Sequence, residues 1–325
     1  MKKTRPETEL SRRDFLKTSG AIAAGLGLGL MLPKGSPLFG QSLSEGSIPA
    51  QTSGTLNHLA AVRNGEPHTM FDKGIEALGG MSRFVSRGDI VLIKPNASFN
   101  SDPDRGATTN PLLVKRVIEH CFEAGASKVY AIDHILTSNA YRDSGIKRAV
   151  EDAGGSMVNI ESNSGYGKVV VSGGKRLKEV EVHELVAEAD KLINIPILKN
   201  HGSTGISCAI KNLMGLVWDR SYYHRNNLDQ CIADFPLYRM PDLTVVDAYY
   251  VLADGGPRGR NNSRILNPKM QFLSHDIVSA DSAALAQAKQ FGVQGTDRVE
   301  YINRAFENRL GIQDLRTIKI ARLSV

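Results

Sequence analysis

Apolar positions along the chain fall into two rhythms. Short runs dense in apolar and β-branched residues have strand length: Ile90–Ile93, Lys128–Ile132, Ser156–Ile160, Leu192–Leu198, Leu243–Val246, Met270–Leu273 and Thr317–Ile320. Between them, apolar residues recur every three or four positions. Leu113, Val114, Val117, Ile118 and Cys121 form one such face, with Asn110 as cap, Pro111 at the first helical position and Gly125 at the end. Helices are also predicted over Ile146–Ala153, Val278–Phe291 and Arg298–Arg309. Ile206, Ile210, Leu213, Met214 and Val217 predict another directly after the central strand. Val169–Val171 and Leu177–Val182 flank Ser172-Gly173-Gly174-Lys175, the pattern of a hairpin. Strands alternating with helices predict an α/β fold, a doubly wound, mostly parallel sheet with flanking helices and a small β-hairpin insertion. Residues 55–325 read as a single α/β domain of this kind, and residues 1–50 as a leader and linker outside it.

In such sheets ligands bind just outside the carboxyl ends of the strands. Five predicted strand ends carry polar residues: Lys94/Asn96, Asp133/His134, Lys199/His201, Asp247 and His275/Asp276. Strands must end, so one polar residue at such a point needs no function. Two lysines, three aspartates and three histidines exceed that requirement and point to a site. Lys211-Asn212 lies between Ile210 and Leu213, at the edge of an apolar face. A lysine there either snorkels to solvent or faces the same cleft.

The pieces VLIKPN, AID, INIPILKNH, SCAIKNLMG, VVDA with DGGPRG, and SHDIVSADSAAL occur in one order along the chain. Together they resemble the domain-of-unknown-function family 362, from about Gly88 to the C-terminus. His224 sits where that family tends to have a histidine. Many members carry an appended ferredoxin-like domain with CxxCxxC runs, which this sequence does not contain. The resemblance implies a fold and a site rather than a reaction.

The chemistry expected of the site is anion recognition. Lys94, Lys199 and Lys211 would form a cationic cluster suited to phosphate or carboxylate, flanked by Asn96 and Asn212. The loop Asp254-Gly255-Gly256 would bring backbone N–H groups to the same anion. Asp133, His201 and Asp247 are the acid–base candidates. His134, His201 and His224 are weaker candidates for a metal, because no pair has HxxxH or HExxH spacing. A divalent metal is left open. Three cysteines cannot supply the four ligands of an iron–sulfur cluster within one chain, so none is expected. Neither a GxSxG elbow nor a Walker loop occurs, and Ser207 four residues before Lys211 is an incidental pairing in most helices. Two functional classes remain. The first is an exported enzyme acting on a small anionic substrate. The second is a non-catalytic binding or delivery protein for an anionic ligand, cofactor or metal.

Composition is ordinary for a globular protein, 41% hydrophobic and 23% charged. The formal charge of +6 is partly the leader's, since residues 1–50 hold seven Lys/Arg and four Asp/Glu. The remainder carries 33 basic and 30 acidic residues, a net of +3, with no basic run interleaved with aromatics; nucleic acid is not expected as a partner. Ser11-Arg12-Arg13-Asp14-Phe15-Leu16-Lys17 followed by the apolar run Ala21–Leu32 resembles a twin-arginine export signal. Its GLGLGL glycines are no dinucleotide fingerprint, because no strand precedes them. The apolar run is short for a membrane span. The expected partners are therefore the twin-arginine export machinery and a small anionic ligand. The membrane would be met only through an uncleaved leader, Ile48-Pro49-Ala50 being a passable cleavage site. The expected location is periplasmic or otherwise extracytoplasmic. An oxidising compartment allows one disulfide among Cys121, Cys208 and Cys231, although three buried thiols fit better. Replacing Arg12 and Arg13 together by Lys should trap the protein in the cytoplasm, which cell fractionation reads directly; unchanged export would refute the signal.

Overall fold

Alternate residues of each strand face opposite ways, and here both ways are buried. In the computed structural model, which describes residues 56–158, 160 and 162–325, eight strands form one sheet. The leader and linker expected over residues 1–50 lie outside the described residues. The strands are β1 Leu59–Arg63, β2 Ile90–Pro95, β3 Lys128–Ala131, β4 Ser156–Met157, β5 Tyr166–Val170, β6 Glu179–His183, β7 Lys191–Ile195, β8 Lys199–His201, β9 Gly205–Ser207, β10 Leu243–Ala248, β11 Val251–Leu252, β12 Ile265–Leu266, β13 Met270–Ser274 and β14 Ile320–Ser324. The large sheet runs β14-β1-β13-β10-β7-β2-β3-β4, and every pairing in it is parallel except the two that β13 makes. β5 with β6, β8 with β9, and β11 with β12 form separate two-stranded ribbons.

The helices are α1 Pro67–Ala77, α2 Pro111–Glu123, α3 Ala140–Asp143, α4 Ile146–Asp152, α5 Glu184–Glu188, α6 Ala209–Asn212, α7 Ser221–Arg225, α8 Leu228–Asp234, α9 Ile277–Gln290 and α10 Tyr301–Glu307. On one face of the sheet Val91, Ile93, Ile193 and Val245 pack with α1, α2 and α4. On the other, Leu92, Leu192, Val246 and Phe272 pack with α6, α8, α9, α10 and the β5–β6 ribbon. A parallel sheet covered on both faces is what near-continuous apolar strands require. The mostly parallel α/β fold and the hairpin insertion are thus as the sequence predicts. Cys121, Cys208 and Cys231 are all buried and unpaired.

Three local expectations are corrected. β13 runs antiparallel to β1 and β10, so its end lies on the opposite edge of the sheet. His275 and Asp276 therefore leave the proposed site, and Asp276 instead meets His58 at 3.2 Å beside the start of β1. The helix predicted from Ile206 does not form. Gly202–Gly205 turns the chain into the tight β8–β9 ribbon, and only a short α6 and a 3-10 turn, Leu213–Leu216, follow. Gly205 sits at φ 77°, and a Cβ on it would run into the Gly295 carbonyl, so glycine is needed there. The last strand also falls later than Thr317–Ile320, because Asp314 caps a 3-10 turn at Leu315–Thr317.

α6 is too short to hold itself. It is held by Asp281 of α9, whose carboxylate accepts the backbone N–H groups of Ala209 and Ile210, the latter at 2.9 Å. Burial pushes the Asp281 carboxyl up to about 6, against the pull of those donors. Asp281→Ala would orphan two buried N–H groups, at about 1–3 kcal/mol each. Asp281→Asn keeps an acceptor and should lose clearly less. Urea unfolding of both variants checks this, and equal losses would show that the capping bonds are not what Asp281 contributes.

Candidate functional site

The sheet changes winding direction between β2 and β7. From β2 the chain proceeds outward to β3 and β4, whereas β7 and β10 lie on its other side. Crevices form at such switch points, beyond the carboxyl ends of the strands. A cleft of about 600 Å³ occupies this place, with Asn96, Asp133, Lys199, His201, Lys211 and Arg220 in its wall.

Its floor is an ion pair. Lys94 Nζ, at the end of β2, lies 2.9 Å from Asp133 Oδ1, just past β3, and the two side chains are 0% and 1% exposed. The other Asp133 oxygen accepts the Ala97 N–H at 2.7 Å and the Ser98 hydroxyl at 2.9 Å. The Tyr141 hydroxyl donates to the Asp133 carbonyl. Lys94 also donates to the Pro95 carbonyl at 2.6 Å. Gly215 passes directly over the pair, and its carbonyl accepts the His134 N–H at 3.0 Å.

Asn212 joins the strands beneath the cleft. Its Nδ2 donates to the Lys94 carbonyl at 3.0 Å and to Asn194 Oδ1 at 2.8 Å. Its Oδ1 accepts from Asn96 Nδ2 at 3.0 Å. Asn96 Oδ1 in turn accepts from Lys199 Nζ at 3.0 Å, and the Ala107 carbonyl takes a second Lys199 proton. Lys199 also lies 5.0 Å from the Phe99 ring centroid.

The cations above this network have no acidic partner. Among the described residues, no carboxylate lies within ion-pair distance of Lys199, Lys211 or Arg220. Burial, and then the neighbouring lysines, push the Lys199 ammonium down to about 7, against the pull of Asp133. Burial and Arg220 push Lys211 down to about 8. Arg220 is lowered by burial as well, and it donates to the His134 carbonyl at 3.3 Å. His201 is pushed down to about 2 by burial and by Lys211 and Lys199, so it is neutral at any working pH. Its Nδ1 accepts the Ser203 N–H at 3.2 Å, which leaves the proton on Nε2. His134 stacks on Trp218, 5.1 Å between centroids at 16°, and His224 closes the rim.

The expected residues divide. Asn96, Asp133, His134, Lys199, His201, Lys211, Asn212 and His224 all line the cleft. Lys94 lies beneath it, neutralised by Asp133, so it is not a free member of the cation cluster. Asp247 does not reach the cleft. It is 1% exposed, and its two oxygens accept the N–H groups of Asn110 and Tyr249 at 2.7 and 2.9 Å. Burial raises it to about 6 without giving it access to a substrate. The glycine loop does not bring Gly256 to the cleft either: its N–H is taken by Asn200 Oδ1 at 2.8 Å, Asp254 Oδ1 accepts from Arg264 N, and Pro257 alone of that loop lines the cleft. Lys211 was expected inside the helix predicted from Ile206. It sits in the first turn of α6 instead, which shortens its reach to the cleft. Arg220, Trp218 and Phe99 were missed. The sole tryptophan followed by Asp219-Arg220, separated by two residues from the SCAIKNLMG motif, was the available signal. Among the described residues, no three His, Cys, Asp or Glu side chains come together as a metal-holding set.

A mostly parallel α/β sheet with a cationic cleft at its switch point defines the class of protein. The chain belongs to the domain-of-unknown-function family 362, whose model matches residues 91–286. A twin-arginine translocation pathway signal sequence matches residues 9–29 and marks the chain for export across a membrane. No helix among the described residues is long and apolar enough to cross one. A thylakoid-associated protein of Synechocystis sp. is 28% identical over 231 residues, 65% of this chain and 70% of that protein. Two solved structures are similar. One is a lactate racemase apoprotein from Thermoanaerobacterium thermosaccharolyticum, with a TM-score of 0.44 and 15% identity over 72% of this chain. The other is a Thermotoga maritima protein, with a TM-score of 0.44 and 12% identity over 70%. The chain spans 57% and 60% of their lengths, respectively.

Gly215 tests the floor of the cleft. A Cβ at this position would fall on Asp133 Oδ1 and within 2.8 Å of Lys94 Nζ, and neither group has room to withdraw. Gly215→Ala should lower stability by about 1–3 kcal/mol, the range for overpacking. A thermal unfolding midpoint equal to wild type would show that the ion pair is not held as described.

Proposed function

We propose that the chain is an exported, periplasmic enzyme that acts on a small phosphate- or carboxylate-bearing substrate in the switch-point cleft. The observation that carries this reading is the set of three cations, Lys199, Lys211 and Arg220, that line one cleft without an acidic partner. Charges buried without partners are costly, and an anionic ligand would relieve that cost. Lys199 and Arg220 hold the substrate's charge. Neutral His201 donates through Nε2, and Lys199, poised near 7, is the group able to exchange a proton near neutral pH. Asp133, originally the acid–base candidate, serves as a positioning residue that keeps Lys94 charged and in place. Residues 55–325 act as one domain in this reading. The non-catalytic alternative, a binding or delivery protein, is favoured by one observation: both carboxylates first considered for catalysis, Asp133 and Asp247, are fully engaged.

Phosphate, sulfate or a dicarboxylate should raise the melting temperature beyond the effect of matched ionic strength. Lys199→Ala should remove most of that gain without unfolding the protein. The response has a pH signature. Lys199 and Lys211 titrate near 7 and 8 when folded and near 10.5 when unfolded. The unfolded chain therefore binds more protons across that interval, and ligand-free stability should rise with pH through it. Anion stabilisation should shrink over the same interval as the ammonium groups discharge. Wild type and Lys199→Ala responding alike to every anion at pH 6.5 would refute the cleft as an anion site. A turnover assay on a substrate so identified separates the classes, because His201→Ala lowers kcat in an enzyme and only affinity in a carrier.

A further inference from the structure

Of the three lysines at the site, Lys211 is held least by its neighbours. Lys94 is paired with Asp133, and Lys199 donates to Asn96 and to the Ala107 carbonyl. Lys211 Nζ meets the Met214 sulfur at 3.8 Å, a weak acceptor. The residue is nonetheless 8% exposed, and it forms part of the cleft wall. Its backbone is fixed on both sides. Asp281 takes the Ile210 N–H, and the Asn212 side chain is tied to Lys94 of β2 and Asn194 of β7. A buried amine without a strong acceptor, on a backbone pinned at both neighbours and beside the unpaired Arg220, is placed as a nucleophile rather than as a structural cation.

We propose that Lys211 forms a Schiff base with the carbonyl carbon of an anionic oxo compound, a 2-oxo acid or a phosphorylated aldehyde, whose charged end is held by Lys199 and Arg220. This rests on the anion-cleft reading above and names its substrate class. In the step, the Lys211 amine lone pair attacks the carbonyl carbon and the π pair moves to oxygen. The nitrogen gives up two protons, the oxygen takes up two, and water leaves. Amine plus carbonyl becomes imine plus water, with no oxidation or reduction. His224 lines the same cleft and is an imidazole able to relay those protons, while neutral His201 can donate a hydrogen bond through Nε2. The depressed ionisation of Lys211, to about 8, supplies free amine at neutral pH. An exposed lysine, titrating near 10.4, has roughly a hundredfold less at pH 8.

The test uses the purified full chain at pH 8 with glyoxylate, pyruvate or uncharged acetaldehyde, each with sodium cyanoborohydride to trap imines, followed by peptide mass spectrometry. Glyoxylate and pyruvate are expected to label Lys211 about tenfold or more faster than surface lysines, as its larger free-amine fraction predicts. Inorganic phosphate should protect it, and Lys199→Ala should slow it. Lys211→Arg should abolish the adduct while keeping the circular-dichroism spectrum of the wild type. Labelling spread evenly over surface lysines, or confined to Lys199, overturns the proposal. So does labelling of Lys211 by acetaldehyde as fast as by glyoxylate without protection by phosphate. If phosphate stabilises wild type but not Lys199→Ala, and Lys211 still stays unlabelled, the anion cleft stands and the Schiff base falls.

Discussion

The Lys94–Asp133 pair is the constraint on which the site depends. Two charges without solvent are tolerable only when each is paired and its remaining hydrogen-bonding capacity is used. Here Asp133 meets Lys94 through one oxygen and two donors through the other, and Lys94 gives a further proton to the Pro95 carbonyl at the end of β2. The pair thereby locks the ends of β2 and β3 and fixes the loop from Ala97 to Ser98. Gly215 must be without a side chain to pass over it, and that places the 3-10 turn, Trp218 and Arg220. Burial pulls the Lys94 ammonium below its ordinary range, while Asp133 works in the opposite direction. Removing one partner of such a pair costs about 3–5 kcal/mol, because the other is left charged and alone.

The cations one layer higher are treated differently. Lys199 is as buried as Lys94 but meets only neutral oxygens, and Lys211 and Arg220 have no acid within pairing distance among the described residues. A fold that needed these charges only for stability would have paired them as it paired Lys94, or replaced them with apolar residues. Like charges held close in a half-closed space lower one another's proton affinity, as the Lys211 and Lys199 effects on His201 illustrate. On the proposed function, an entering anion would relieve that repulsion.

Much of the fold was legible because buried parallel strands leave continuous apolar runs, and β2, β3, β7 and β10 were all found close to their observed bounds. The direction of β13 was not legible, since a short apolar run reads the same parallel or antiparallel. That ambiguity sent His275 and Asp276 to the wrong edge. Residues 205–217 were misread for a related reason: five apolar residues at helical spacing also suit a ribbon, a short helix and a 3-10 turn packed on one core. At the site, the motif lysines and Asn96 were legible from their place at strand ends. What a backbone N–H takes up is invisible in sequence, and that is why Asp247 and the Gly255-Gly256 loop looked available. Arg220 hid because it lies past the last apolar residue of the predicted Ile206–Val217 face, where no strand end or motif marks it.

The locked carboxylates decide where proton transfer can occur. A general base must reach its substrate and change protonation near the working pH. Asp133 has both oxygens engaged, and Asp247 faces only backbone donors outside the cleft. His201 fails the second requirement, because burial and two lysines hold it neutral. An incoming anion changes that balance. Negative charge beside Lys199 and Lys211 raises both lysines and relieves the repulsion that holds His201 down. Ligand binding would then draw protons into the cleft, and the groups that gain them are those that face the ligand. Under the proposed function, chemistry in this cleft would follow from one asymmetry: the layer that carries matched charge is sealed beneath, and the layer left unmatched faces the cleft.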